Sequence, residues 1–288
     1  VVSSLAVVSL EDADQPHRWY ATNLVGVPSR VLASAAFNAN PKPLTIAGTQ
    51  EAHSGLFALL ESSADLHEAH DRFVHYLSIS FGLRKPQAHE LGGMGAAEQR
   101  RWRSSWRKLL QGWGMDSNGA AGAVLKGWVE SRFGLVPSFH KAPLTRFPSP
   151  EWITYLQEKA SNRLNNNNIY QQLDLLYEFC QWSLRRIGSQ SQSKPVQHLR
   201  LWRGSNQCEE QVIAGRLQNR RCTVRLNNIV SFSLSADDAS CFGDWVFEVQ
   251  VPTCKVIVFP DLLPGQVLQG EQEVLALGGN FDVMARYA

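Results

Sequence analysis

A chain of 288 residues has room for one large or two modest domains, and with 44% hydrophobic residues it can bury a real core, which excludes a disordered chain. Lys plus Arg is 28 and Asp plus Glu is 26. The resulting net charge of +2 gives no footing for a polyanion partner, nucleic acid included. Cysteines stand at 180, 208, 222, 241 and 254, odd in number and never as C-x-x-C. Reduced, mostly buried thiols in a cytoplasmic protein are expected. The apolar opening Val1–Leu10 lacks a basic leader and runs at once into Glu11, Asp12 and Asp14, unlike a secretory signal. No stretch approaches the ~18 unbroken apolar residues of a membrane span.

From Thr22 to about Gly188 the pattern is mainly helical, broken by Pro and Gly loops. Ala39-Asn40-Pro41-Lys42-Pro43 reads as a turn or extended connection. Leu56, Phe57, Leu59 and Leu60, then Phe73, Val74 and Leu77, recur at helical spacing. A flexible break at Gly92-Gly93-Met94-Gly95 precedes a tryptophan-rich helix over 98–113. On it Trp102, Trp106, Leu109, Leu110 and Trp113 share one face, and Arg100, Arg103 and Arg107 lie away from it. This is either a core helix with solvated charges or a docking surface for an acidic partner. Pro137, Pro143, Pro148 and Pro150 mark a loop region. Two more helices are predicted around Glu151–Arg163 and Tyr170–Arg186, separated by the polar turn Asn165–Asn168.

Past the polar stretch ending at Pro195 the texture changes to strands. They are predicted at His198–Trp202, Ile229–Ser233, Trp245–Val251, Lys255–Phe259, Glu273–Leu277 and Phe281–Ala285. Helices first and strands second predict an α+β fold. The expected organisation is a mainly helical region over 1–150, suited to partner docking, and a catalytic core over 151–288. No metal site is expected. His67-Glu68-Ala69-His70 spaces its histidines by three, so H-E-x-x-H is absent. Gly93-x-Gly95 lacks the third glycine of a dinucleotide fingerprint.

Three short pieces in the strand region carry the chemistry: Leu201-Trp202-Arg203-Gly204, Ser231-Phe232-Ser233 and Glu271-Gln272-Glu273. They supply a cation, small hydroxyls and paired carboxylates, the groups needed to hold NAD and break its nicotinamide–ribose bond. Arg203 can fork onto phosphate oxygens, or be a solvated strand-end arginine. Gly204 beside it permits close backbone approach. Ser231 and Ser233 share a strand face and can bond a ribose and a carboxylate, or simply end a strand. If extended, Glu271 and Glu273 point to the same side. Glu273 would then stabilise the oxocarbenium character of the ribose, and Glu271 would orient an arginine acceptor and take its proton. An ordinary charged pair on an edge strand is the alternative.

The order of the three pieces resembles the arginine–serine–glutamate signature of arginine-specific ADP-ribosyltransferases. That resemblance runs from His198 to the end. The family's S-T-S motif has Phe232 in the middle here. The resemblance implies a C-terminal β-sandwich core with an NAD cleft, Phe242 packing on nicotinamide, and a substrate-recognition loop at Leu262–Gly270. It implies NAD binding by Arg203, Gly204, Ser231, Ser233, Phe242 and Glu273, with Arg203, Ser231, Glu271 and Glu273 catalytic. Thr22–Pro28, Ala36-Phe37-Asn38 and Pro43–Thr49 are similar to the dinitrogenase reductase ADP-ribosyltransferases, over nearly the whole chain from Trp19. The implied reaction attaches ADP-ribose to one arginine of dinitrogenase reductase, the nitrogenase iron protein, and switches it off. Control by a PII signal protein is implied too. The alternatives are a transferase for another protein target and a non-catalytic partner-binding module.

Overall fold

The computed structural model describes residues 23–83, 105–190, 196–206, 208–263, 268 and 272–288. Its helices come first and its main sheet last, the α+β arrangement expected. In chain order the helices are α1 (Ser29–Leu32), α2 (Ala35–Ala39), α3 (Thr49–Ala52), α4 (Ser54–Glu61), α5 (Leu66–Phe81), α6 (Trp106–Met115), α7 (Ala120–Phe133), α8 (Pro150–Ser161), α9 (Asn167–Gln190) and α10 (Ala236–Ser240). A two-residue hairpin, β1 (Phe139–His140) and β2 (Ala142–Pro143), sits between α7 and α8.

Local chemistry sets the helix ends. Asp65 accepts the Glu68 N–H at the start of α5, and Glu68 reaches back to the Ala64 N–H, a reciprocal cap. Gly82, with φ of 63°, ends α5 in the left-handed region. Ser149 caps α8 and Pro150 occupies its first turn. Helix α9 is the axle of the molecule. Its Phe179 stacks on Phe73 of α5 at 4.0 Å. The Glu178 carboxylate accepts from the Ile46 N–H and from Gln50 Nε2. On the sheet side Tyr177 Oη donates to the Cys254 carbonyl at 2.7 Å, and Gln181 Nε2 donates to the Val256 carbonyl at 2.7 Å. The main buried apolar cluster is continuous from Leu32 to Ala285.

The sheet contains β3 (His198–Ser205), β4 (Val212–Gly215), β5 (Arg221–Ser233), β6 (Trp245–Pro252), β7 (Val256–Val258) and β8 (Glu273–Tyr287), in the order β4-β5-β3-β6-β8-β7. All pairings are antiparallel, and β5 also pairs with β8. Strands β5, β3, β6 and β8 therefore form a closed circuit of neighbours. Its narrowest link is β3 to β5, a single pairing of Trp202 with Ser233.

Two predicted strands, Glu273–Leu277 and Phe281–Ala285, are one bent strand. The bend is shared with the neighbour: β5 shifts register between Leu226 and Ile229, opposite Gly278-Gly279 of β8. A Cβ at Gly278 would fall 1.5 Å from the Asn227 carbonyl oxygen, so only glycine lets the two kinks nest. Asn228 Nδ2 then ties the kink to the helical half, donating to the Lys126 and Leu135 carbonyls at 2.9 and 2.8 Å.

Lys255 is fully buried beside this bend. Its Nζ donates to the Gly278 carbonyl at 3.1 Å and lies 4.9 Å from the Phe281 ring centre. Burial lowers its ammonium to about 7. Between that value and the unfolded 10.5 the folded chain binds fewer protons at this group, so stability rises with pH across the window. The thermal midpoint is expected to climb from pH 7 to pH 9, and Lys255→Met to flatten that climb.

Candidate active site

Arg203, Ser231 and Glu273 come from three different strands and meet where the strand circuit is narrowest. On β5 the ladder runs Ser231 opposite Leu275, Phe232 opposite Val274 and Ser233 opposite Glu273. Facing partners share a side of the sheet, so Ser231, Ser233 and Glu273 look the same way, and Phe232 points into the core, 2% exposed. Arg203 reaches this group from β3. Its Nη1 donates to the Ser231 carbonyl at 2.8 Å. Burial lowers the guanidinium's pKa, opposed by the Glu273 carboxylate, which raises it. Its Nε is buried with no hydrogen-bond partner. A guanidinium with a spare N–H is a group that can fork onto phosphate oxygens.

The surroundings are supplied by the short helix after β5. Ser233 Oγ accepts the Ser235 N–H at 3.0 Å, and Ser235 Oγ accepts the Asp238 N–H at 3.2 Å, capping α10. This turn lays α10 against β3. A Cβ at Gly204 would lie 2.0 Å from the Ala239 carbonyl oxygen and 3.1 Å from the Phe242 carbonyl carbon. The close approach that Gly204 permits is thus one with the protein's own backbone. It brings Phe242, 71% exposed, next to the arginine strand. An aromatic ring left that bare is available for stacking.

The extended backbone expected between the glutamates is broken at Gln272. Gln272 has φ of 57°, in the left-handed region, and β8 begins only at Glu273. The backbone at Gln272 is therefore not extended, and regular strand alternation starts only at Glu273. The cause is visible on the partner strand. The Leu234 N–H bonds the Gln272 carbonyl at 3.2 Å, closing the ladder just where the chain turns away. Glu271 itself, with Gly265 and Gly270 of the predicted recognition loop, lies outside the described residues. Leu262, Leu263 and Leu268 of that loop are buried.

Sequence reading missed one participant. Trp113 of α6 donates its indole N–H to Ser231 Oγ at 3.0 Å. The signal was present: a tryptophan on a buried face must place its N–H on an acceptor. Helix α6 belongs to the core over its described length, with Trp106, Leu109, Leu110 and Trp113 all buried. Arg107 is half-buried, its guanidinium 5.0 Å from the Trp106 ring centre. Trp102, Arg100 and Arg103 lie outside the described residues.

A hollow of about 510 Å³ elsewhere on the sheet is lined by Arg221, Glu248, Asp282 and Met284, among others, and holds none of the motif residues. The converging side chains, not that hollow, locate the site. Among the described residues no group of three or more His, Cys, Asp or Glu side chains could hold a metal ion. No helix among them is long and apolar enough to cross a membrane. All five cysteines are free, and only Cys241 is exposed.

Comparison with known proteins gives this constellation its context. Residues 22–285 match the family described as dinitrogenase reductase ADP-ribosyltransferase (DRAT). The chain belongs to this family. It is accordingly an NAD-dependent protein-arginine mono-ADP-ribosyltransferase, and NAD is its substrate. A curated relative, the NAD(+)–dinitrogen-reductase ADP-D-ribosyltransferase of Rhodospirillum rubrum, is 46% identical over 274 residues. The match spans 95% of this chain and 98% of the relative. No solved structure matches the chain.

Proposed function

We propose that this DRAT-family chain moves ADP-ribose from NAD to one arginine of dinitrogenase reductase and thereby inactivates it. The observation that carries the reading is the meeting of Arg203, Ser231 and Glu273 at one narrow link of the strand circuit. The 46% identity to a relative named for dinitrogen reductase supports the choice of target. In this reading the curled sheet is a sandwich-like core over 151–288 enclosing an NAD cleft. The region over 1–150 adds partner-docking surface. A cytoplasmic location follows from reading the cysteines as reduced thiols, and control by a PII signal protein follows from the family resemblance.

Each residue has a role in the proposal. Arg203 holds the pyrophosphate through the N–H groups that Ser231 leaves free. Phe242 and the backbone at Gly204 hold the nicotinamide. Ser231 and Ser233 line the ribose side. Glu273 accepts from a ribose hydroxyl and shields the positive charge that develops at the sugar carbon as the nicotinamide bond breaks. Nicotinamide leaves neutral. The target guanidine nitrogen bonds to that carbon and gives its proton to Glu271.

Mass spectrometry of dinitrogenase reductase incubated with this chain and NAD tests the proposal. A mass gain of one ADP-ribose on a single arginine is expected, with nicotinamide released in equal amount. Nicotinamide release without any gain on the iron protein would reject the target.

A further inference from the structure

We propose that Trp113 is a positioning residue for ADP-ribosyl transfer, acting through the hydroxyl of Ser231. The inference rests on the reading of Ser231 as part of the NAD site. Its basis is the polarity of one hydrogen bond. An indole N–H can only donate, and a serine hydroxyl carries one proton and two lone pairs. Trp113 Nε1 donates to Ser231 Oγ at 3.0 Å, so that hydroxyl is committed as acceptor on the side facing α6. Its single proton must therefore be offered elsewhere. Among the described residues it meets no acceptor, and the site's acid group, Glu273, stands two steps along the same sheet face.

The rest of the serine is fixed as well. Arg203 Nη1 holds its carbonyl at 2.8 Å. Backbone and side chain of Ser231 are thus pinned from two directions, by a strand and by a helix 118 residues earlier in the chain.

The indole is well placed to act as a fixed pin. Trp113 is 5% exposed. At the start of α6 the Trp106 N–H donates to Gln172 Oε1 of α9 at 3.0 Å. In its last turn α6 presses on α7 so closely that a Cβ at Gly112 would meet the Ala121 Cβ at 2.5 Å. Helix α6 therefore cannot slide past either neighbour without breaking a bond or a packed contact. A donor held this firmly removes the rotational freedom of the Ser231 hydroxyl before substrate arrives. Such pre-orientation raises turnover more than affinity.

The test removes the N–H and keeps the shape. Trp113 is replaced by benzothienylalanine, in which sulfur takes the place of the indole nitrogen, and Trp113→Phe serves as a second variant. The kcat for NAD cleavage is expected to fall roughly tenfold, with KM for NAD little changed. In a Ser231→Ala background the same replacement is expected to cost nothing further. A loss of equal size in both backgrounds, or no loss at all, overturns the inference. A readout independent of turnover is the Trp113 indole N–H resonance by NMR. It is expected to move in the Ser231→Ala protein and again when NAD is added to the unaltered chain, and indifference to NAD counts against the inference. Full NAD cleavage by Ser231→Ala alone has a different meaning: the assignment of Ser231 to the site falls, and the inference with it.

Discussion

Glu273→Gln is expected to lower NAD cleavage roughly a thousandfold, in the presence and in the absence of a protein acceptor. The exchange keeps the shape of the side chain and its hydrogen-bonding oxygen. The negative charge is lost and the second oxygen becomes an NH2 donor, and that charge is what an electron-poor sugar requires. NAD affinity should change little by comparison, because the ground-state ribose is neutral. A second consequence follows from the Arg203 contact. With the carboxylate gone, the buried guanidinium loses the opposing charge that Glu273 supplies, so the unfolding midpoint should fall as well. Rapid-quench measurement of nicotinamide release, done beside a thermal scan, separates the two effects. Near-normal release from a folded Glu273→Gln protein would remove Glu273 from the chemistry.

The second large effect concerns Arg203. Arg203→Met should weaken NAD binding roughly a hundredfold, the size of about two charge-assisted hydrogen bonds. Turnover at saturating NAD should suffer less. The conservative exchange Arg203→Lys is expected to fail nearly as badly. A lysine ammonium is a point charge on a flexible stem and cannot reproduce the planar fork. In the proposed role Arg203 needs that fork, since one N–H is spent on the Ser231 carbonyl and the rest are left for the substrate. Equilibrium dialysis with labelled NAD measures the loss directly. Unchanged affinity in Arg203→Met would mean that the buried cation serves the strand circuit alone.

Where the sequence was legible, periodicity made it so. Trp106, Leu109, Leu110 and Trp113 sit on a helical face and are buried. Helix α9 was predicted at Tyr170–Arg186 and runs Asn167–Gln190, because its polar ends lack the apolar spacing that marks the middle. The first half of β5, residues 221–228, went unread. Arg221 and Arg225 mask an alternation that is nonetheless present, since Cys222, Val224 and Leu226 are buried. Glycine misled in the opposite sense at 278 and 279. A pair that often punctuates strands here lets one strand bend against a matching kink in its neighbour.

At the candidate site, residue order picked out three strands that the structure brings together, because Arg203, Ser231 and Glu273 belong to a recognisable series. What it could not convey is handedness at a single residue. The Glu-Gln-Glu stretch reads as extended on paper, yet Gln272 adopts a positive φ that alternation cannot foresee. The Trp113 contact was hidden for another reason: it spans 118 residues, and no local pattern links a helix to a serine that far downstream.

The kink in β5 is anchored by Asn228 to the carbonyls of Lys126 and Leu135, and the serine just beyond it is held by Trp113. The reactive strands thus borrow their scaffolding from segments made long before them on the ribosome. A fragment beginning at residue 151 would be born without its own struts, leaving an amide orphaned and a hydroxyl free to spin.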